Sequence, residues 1–196
     1  CNRNKYQKKG SVGIPIVGEQ IKIKDPDENG EGEICVKGPN VMLGYYKDPE
    51  ATAAAFDEEG FFRTGDYGKL DDEGWLYITG RIKNIIVLSN GKNVYPEEIE
   101  SEISKIYGVL EVVVYAGESR AQKNKEVIVA EIFPDFEALK LKGIGDPQAY
   151  FSEEIRKLNS RMVSYKAVKM VKIRNEEFPK NTSRKILRFE INKSID

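Results

Sequence analysis

Between Ser11 and Arg81 the apolar residues come in short alternating runs broken by turn formers: "IKIK", then "DPDENGEG", then "EICVKG". A period of two bounded by Asp, Asn, Gly and Pro predicts strands joined by tight turns. "KDPEATAAAF" interrupts them. There Asp48 can cap a helix, Pro49 suits the first helical position, and the alanines that follow propagate it. The texture changes after Lys83. "NIIVLSN" reads as a buried strand, and "YPEEIESEISKIY" sets Ile99, Ile103 and Ile106 at helical spacing. "VLEVVVYAG" and "KEVIVAEIFPD" read as two further strands. "YFSEEIRKLNSRM" stacks Phe151, Ile155, Leu158 and Met162 on one helical face, and "VKMVKIRN" is a last strand before a polar loop. The fold class expected is α+β: a mostly β, strand-and-turn first part meeting an α+β second part near residues 80–84.

Composition narrows the chemistry. The 196 residues are 40% hydrophobic and carry 31 Lys and Arg against 32 Asp and Glu, spread along the chain, so a nucleic-acid footprint or polybasic membrane patch is not indicated. No apolar run reaches the length of a membrane span, and no secretory leader opens the chain; a cytoplasmic protein is the expectation. Cys1 and Cys35 form no bridge framework or zinc spacing, which fits a reducing compartment. Histidine, the most frequent general base and metal ligand, is absent. Small anionic ligands remain. Because residue 1 is not Met, the chain is expected to be a piece of a longer protein.

Three stretches carry candidate chemistry. In "RTGDYGKLDDEGWLYITGRIKN", taking residues 71–74 as the hairpin loop puts Asp66 opposite Thr79 and makes Arg81 its diagonal neighbour, about 7–8 Å away. Two such side chains can converge on a ribose, the carboxylate accepting both hydroxyl protons and the guanidinium offering a planar fork. The competing reading is an exposed ion pair worth about 0–1 kcal/mol. "LSNGKNVYPEEIE" ends a strand in a loop at Gly91, with Lys92 beside it, where backbone can approach a thin, extended ligand; an ordinary strand-to-helix connection explains it equally. "FPKNTSRKILRFEI" gathers Lys180, Arg184, Lys185 and Arg188 into a cationic loop, either a solvated face or a means of carrying one ammonium to a phosphoryl or carboxylate group.

Taken in order, "GSVGIPIVG", "GEICVKGPNVMLGYYKDPEATAAAF", "GFFRTGDYGKLDDEGWLYITGRIKNIIVLSNGKNVYPEEIE" and "PKNTSRKILR" resemble the adenylate-forming superfamily of acyl-CoA ligases, adenylation domains and luciferase. Within it, "GKNVYPEEIE" is most similar to AMP-forming long-chain fatty acyl-CoA ligases. The resemblance implies that Asp66 binds the ribose hydroxyls of ATP or AMP and that Arg81 supports the same nucleotide. Lys83 falls at the hinge, and Lys185 matches the adenylation lysine. Gly91 and, more weakly, Lys92 would line the pantetheine path of CoA. The implied reaction joins a fatty acid or other carboxylate to CoA through an acyl-adenylate, with ATP consumed, AMP and pyrophosphate released, and Mg²⁺ required. Arg184 stands where the family often has glycine, and Asn181 where threonine is common. The phosphate-binding loop and the segment carrying the Mg²⁺ ligand have no counterpart here. The resemblance therefore implies the last, β-rich and barrel-like subdomain of a large N-terminal domain over residues 1–82, concentrated in 10–82, plus a small mobile C-terminal domain over 83–196 whose central sheet is flanked by helices, with the remaining N-terminal domain as its partner and little activity alone. Two alternatives stand beside this reading: a standalone binding or scaffolding module of the same fold, and an adenylating enzyme that loads a carrier protein.

Overall fold

The computed structural model describes residues 2, 6–117 and 127–195, and the chain divides into two compact units, 1–83 and 84–196. Cys1, and Lys125 and Glu126 at the head of one expected strand, lie outside the described residues.

The first unit is a four-stranded antiparallel meander of β1 (Gln20–Lys24), β2 (Gly32–Lys37), β3 (Phe62–Leu70) and β4 (Leu76–Arg81), in that order across the sheet. It is open. The barrel-like closure expected from the sequence is not formed among the described residues, because β1 and β4 stay at opposite edges. The one α-helix among the described residues of this unit, α1 (Pro49–Ala55), begins where Asp48 Oδ1 accepts the Ala51 N–H and Pro49 occupies the first turn. Ile34, Cys35, Phe61, Trp75 and Leu76 supply the buried side chains.

One turn design closes this meander three times. In residues 27–31, 57–61 and 71–75 the first N–H donates to the fifth carbonyl at 2.8, 2.9 and 3.0 Å, and the fourth N–H returns to the first carbonyl at 2.9 Å. The leading aspartate's Oδ1 accepts from the third and fifth N–H groups. The fourth residue is Gly30, Gly60 or Gly74, at φ of 73°, 78° and 80°. A side chain there would sit in the left-handed region, which glycine enters without steric cost.

The second unit is built on the sheet β7 (Val109–Gly117), β8 (Val127–Pro134) and β9 (Met170–Ile173), antiparallel between the first pair and parallel between the second. Side chains alternate between its faces. Val114, Ile128, Ala130 and Ile132 meet α2 (Pro96–Ile103), α3 (Phe136–Leu141) and α4 (Pro147–Asn159) on one face, through Ile99, Ile103, Leu139, Phe151 and Ile155. Val113, Tyr115 and Val129 pack on the other face against Phe178, Ile186 and Ile191 of the C-terminal segment. Buried Glu131 on that second face accepts from Tyr115 Oη at 2.8 Å and Arg174 Nη1 at 2.7 Å. Burial and the neighbouring carboxylate push the Tyr115 hydroxyl pKa up.

The expected buried strand "NIIVLSN" shrinks to β5 (Ile86–Val87), paired with β6 (Asn93–Val94). Val87 is 59% exposed while Ile86 and Val94 are buried, so only one side of this ribbon is covered. α3 was not anticipated; Asp135 caps it by accepting the Ala138 N–H.

Candidate functional site

In the first unit the structure brings Asp66 and Arg81 face to face, not diagonally. Leu70 pairs with Leu76 and Gly68 with Ile78, after which β4 holds one extra residue, so that Tyr67 pairs with Gly80 and Asp66 with Arg81. Two causes displace the sequence-based register. The turn occupies 71–75, not 71–74, and a bulge at Thr79 adds a second step. On its other side β3 is also irregular: Gly65 adopts φ 69°, next to the register shift opposite Glu33 to Cys35 of β2. Asp66 thus lies between two ladder irregularities.

Arg81 Nε meets Asp66 Oδ1 at 2.8 Å, and Arg81 Nη1 reaches the Thr64 carbonyl at 3.4 Å. The Asp66 N–H donates to Thr64 Oγ1 at 3.0 Å, while that hydroxyl donates to the Ile34 carbonyl at 2.8 Å. The carboxylate is thereby aimed by β2 and β3 together, with Oδ2 accepting no hydrogen bond among the described residues. With Asp66 27% and Arg81 57% exposed, the ion pair itself adds about 0–1 kcal/mol. An aimed, acceptor-only oxygen suits the hydroxyls of a sugar.

Lys83 is exposed in a single 3-10 turn, Ile82–Asn84, at the boundary between the units. Asn84 opens the second unit, and its Nδ2 donates to Glu97 Oε1 at 2.5 Å.

Gly91 sits in the turn between β5 and β6. Leu88 N–H donates to the Lys92 carbonyl at 2.9 Å and Gly91 N–H to the Leu88 carbonyl at 2.8 Å, with Gly91 at φ 76°. A Cβ added there meets nothing within 4 Å, so the backbone angle alone restricts the position. Lys92 Nζ lies 4.7 Å from the centre of the Tyr165 ring, a cation–π contact that holds the ammonium back along its own unit.

Lys185 is exposed at the end of a second such turn. Asn181 N–H donates to the Lys185 carbonyl and Arg184 N–H to the Asn181 carbonyl, both at 2.9 Å, while Asn181 Oδ1 accepts from Ser183 and Lys185 at 3.0 and 2.9 Å. This is the design of the three aspartate turns, with asparagine in the lead and Arg184 at φ 58° where they have glycine. The recurrence is legible as D-x-x-G-x three times and N-x-x-R-x once, a signal that motif reading passed over.

The cationic loop is less cationic than its sequence. Lys180 pairs with Glu111 and, at 2.7 Å, with Glu177; these partners hold its pKa above the usual lysine value. Arg188 Nη2 pairs with Glu100 at 2.5 Å. Both neutralised residues stand at the root, where Lys180 and Ile186 form a bridge, whereas Arg184 and Lys185 at the tip have no ion-pair partner among the described residues. The root packs through Ile186 on one face of the sheet, and the Gly91 ribbon packs through Ile86, Leu88 and Val94 on the opposite face.

This arrangement matches known proteins in both sequence and fold. Residues 1–46 match the model of the AMP-binding enzyme family. Over 93% of its length the chain is 38% identical to the long-chain-fatty-acid–CoA ligase of Salmonella typhimurium (strain LT2) and 37% identical to the ligase FadD13 of Mycobacterium tuberculosis (strain H37Rv). It spans 31% and 34% of the lengths of those relatives. The o-succinylbenzoate coenzyme A synthetase MenE of Bacillus subtilis in complex with AMP superposes with a TM-score of 0.76 at 33% identity, over 94% of this chain and 35% of that one. The same enzyme in complex with ATP and magnesium ion gives 0.74 at 32% identity, over 93% and 36%. The chain belongs to the adenylate-forming, AMP-binding enzyme family of acyl-CoA ligases.

No helix among the described residues is long and apolar enough to cross a membrane.

Proposed function

We propose that the chain is the C-terminal part of an ATP-dependent, AMP-forming ligase that converts a long-chain fatty acid to its CoA thioester. What supports the substrate class is the fatty-acid ligase activity for which the relatives are named; what supports the division of labour is the placement of the two loops. The Lys185 turn and the Gly91 turn extend from opposite faces of one sheet, so a single rigid unit can present one or the other to a reacting centre. That observation carries the reading.

Asp66 takes the ribose hydroxyls of ATP, using the oxygen that Arg81 leaves open, and Arg81 both orients that carboxylate and offers its remaining N–H groups to the nucleotide. In the first half-reaction a carboxylate oxygen attacks the α-phosphorus and the bond to pyrophosphate breaks. The Lys185 ammonium, unpaired at its turn, neutralises the charge that builds on the α-phosphoryl oxygens. Mg²⁺ would screen the triphosphate, and its ligands would come from other parts of the parent enzyme. In the second half-reaction the CoA thiol, losing its proton, attacks the acyl carbonyl and AMP leaves. The backbone at Gly91 flanks the pantetheine arm, with Lys92 beside it. Residues 83–196 serve both halves by turning about Lys83, a change absorbed by a few dihedrals.

The test uses the intact parent enzyme with ATP, CoA and a panel of fatty acids. Lys185→Ala is expected to slow acyl-adenylate formation by ~10²–10³-fold and to spare thioester formation from supplied acyl-adenylate. Equal losses in the two halves rule out this role for Lys185.

A further inference from the structure

Arg188 lies three residues beyond Lys185, at the root of its turn, and reaches around the free edge of β7. Its Nη2 pairs with Glu100 Oε2 at 2.5 Å and lies 3.9 Å from Glu97 Oε1, and its Nη1 is 3.5 Å from the Val114 carbonyl. The Val114 N–H donates to the other Glu100 oxygen at 2.7 Å. Glu97 Oε1 in turn accepts from Asn84, the residue that follows Lys83, while its Oε2 is buried with no hydrogen-bond partner among the described residues. A continuous polar path therefore runs from the interdomain linker through Glu97 at the start of α2 to the root of the Lys185 turn.

Ordinary surface pairing does not account for this path. An isolated surface arginine would be satisfied by Glu100 alone, yet a second carboxylate is held beside it, half-buried and short of one hydrogen bond, with its other oxygen committed to the linker. Such an arrangement is sensitive to displacement of its members, because Glu100 and the buried Oε2 of Glu97 are shielded from the water that would replace a lost partner. We infer that Arg188 is a positioning residue for the adenylation lysine, and that Asn84 and Glu97 couple the linker to it, so that the place to which Lys185 is delivered depends on the linker's conformation. The inference rests on the proposed role of Lys185.

The experiment measures both half-reactions separately in the intact parent enzyme, with Lys185→Ala as the reference. Arg188→Ala is expected to slow acyl-adenylate formation by about tenfold to a hundredfold, as a misplaced catalytic group does, and to leave thioester formation from supplied acyl-adenylate within about twofold. Asn84→Ala, a mild change at the head of the second unit, is expected to give a smaller loss in the same half-reaction. Its effect should largely vanish in the Arg188→Ala background, since members of one network are not additive. Multiplying losses, or an equal loss in both half-reactions, overturns the coupling. If Lys185→Ala slows adenylation while Arg188→Ala and Asn84→Ala do not, the linkage falls and the functional reading stands; if Lys185→Ala leaves adenylation intact, both fall.

Discussion

Arg184 adopts φ 58° in a turn whose three counterparts place glycine at the same step. A left-handed conformation costs an L-residue about 1–2 kcal/mol, part of which glycine forfeits through its greater freedom in the unfolded chain. Arg184→Gly is therefore expected to stabilise the chain by about 0.5–1 kcal/mol, read from urea denaturation followed by circular dichroism. A destabilised variant would mean that the guanidinium contributes contacts worth more than the strain. The family comparison in the sequence pointed to this position as a departure, but not to its reason. The reason is geometric: Asn181 does for this turn what Asp27, Asp57 and Asp71 do for theirs, and a reader who aligned the four five-residue stretches would have placed both the turn and its strained member.

At the level of elements, the aspartate turns tie stability to pH. Asp57 Oδ2 accepts from Lys22 Nζ at 2.7 Å while its Oδ1 holds the turn, and the Lys22 hydrogen bond, followed by the Phe61 N–H, keeps the Asp57 pKa below the ordinary value of 3.8. Asp71 is lowered in the same way, first by its hydrogen bond to Lys8. A carboxyl whose pKa is lower when folded contributes stability that is present above its unfolded pKa and lost as pH falls through the folded one. The chain should therefore lose stability below about pH 4. Asp57→Asn keeps an oxygen for the two turn N–H groups, as Asn181 demonstrates, and removes the titration; the fall in urea midpoint between pH 4 and pH 2 is expected to become shallower than in the parent. An unchanged slope would assign the acid sensitivity to other groups. Strand and helix identities were largely legible at this scale, because alternation and the Asp–Pro start at Asp48 are local signals, although the same start at Asp146, which sets α4 off three residues before Tyr150, went unread. The register of Asp66 was not. A bulge such as that at Thr79 leaves the hydrophobic pattern nearly intact while moving every later pair by one residue, so the direct meeting of Asp66 with Arg81 had no reliable sequence signature. Likewise the apolar run in "NIIVLSN" reads as a long buried strand, but turn formation at 88–92, with Gly91 at positive φ, ends the ribbon early.

For the whole chain, the change of texture near residue 83 is the feature on which the proposed mechanism depends. Lys83 lies in a short 3-10 turn, Ile82–Asn84, and its own side chain is exposed, so what holds this turn is not the lysine but its neighbour Asn84, through Glu97. A turn of this kind is a suitable place for a few dihedrals to change while the sheets on either side stay rigid. Proline at this position would fix its own φ near −65° and bias Ile82 away from helical angles, which removes part of the range through which the linker must pass. On the proposed reading, Lys83→Pro in the intact parent enzyme leaves at least one half-reaction within about threefold of the parent when it is assayed alone. The coupled conversion of fatty acid, ATP and CoA to acyl-CoA falls by tenfold or more, because each turnover then requires a movement of the kind that commonly limits such enzymes. Stopped-time assays of acyl-adenylate formation, of thioester formation from supplied acyl-adenylate, and of the complete reaction separate these quantities. A variant in which all three rates fall together has lost its fold or its nucleotide site, whereas one in which all three are unchanged places the pivot somewhere other than Lys83.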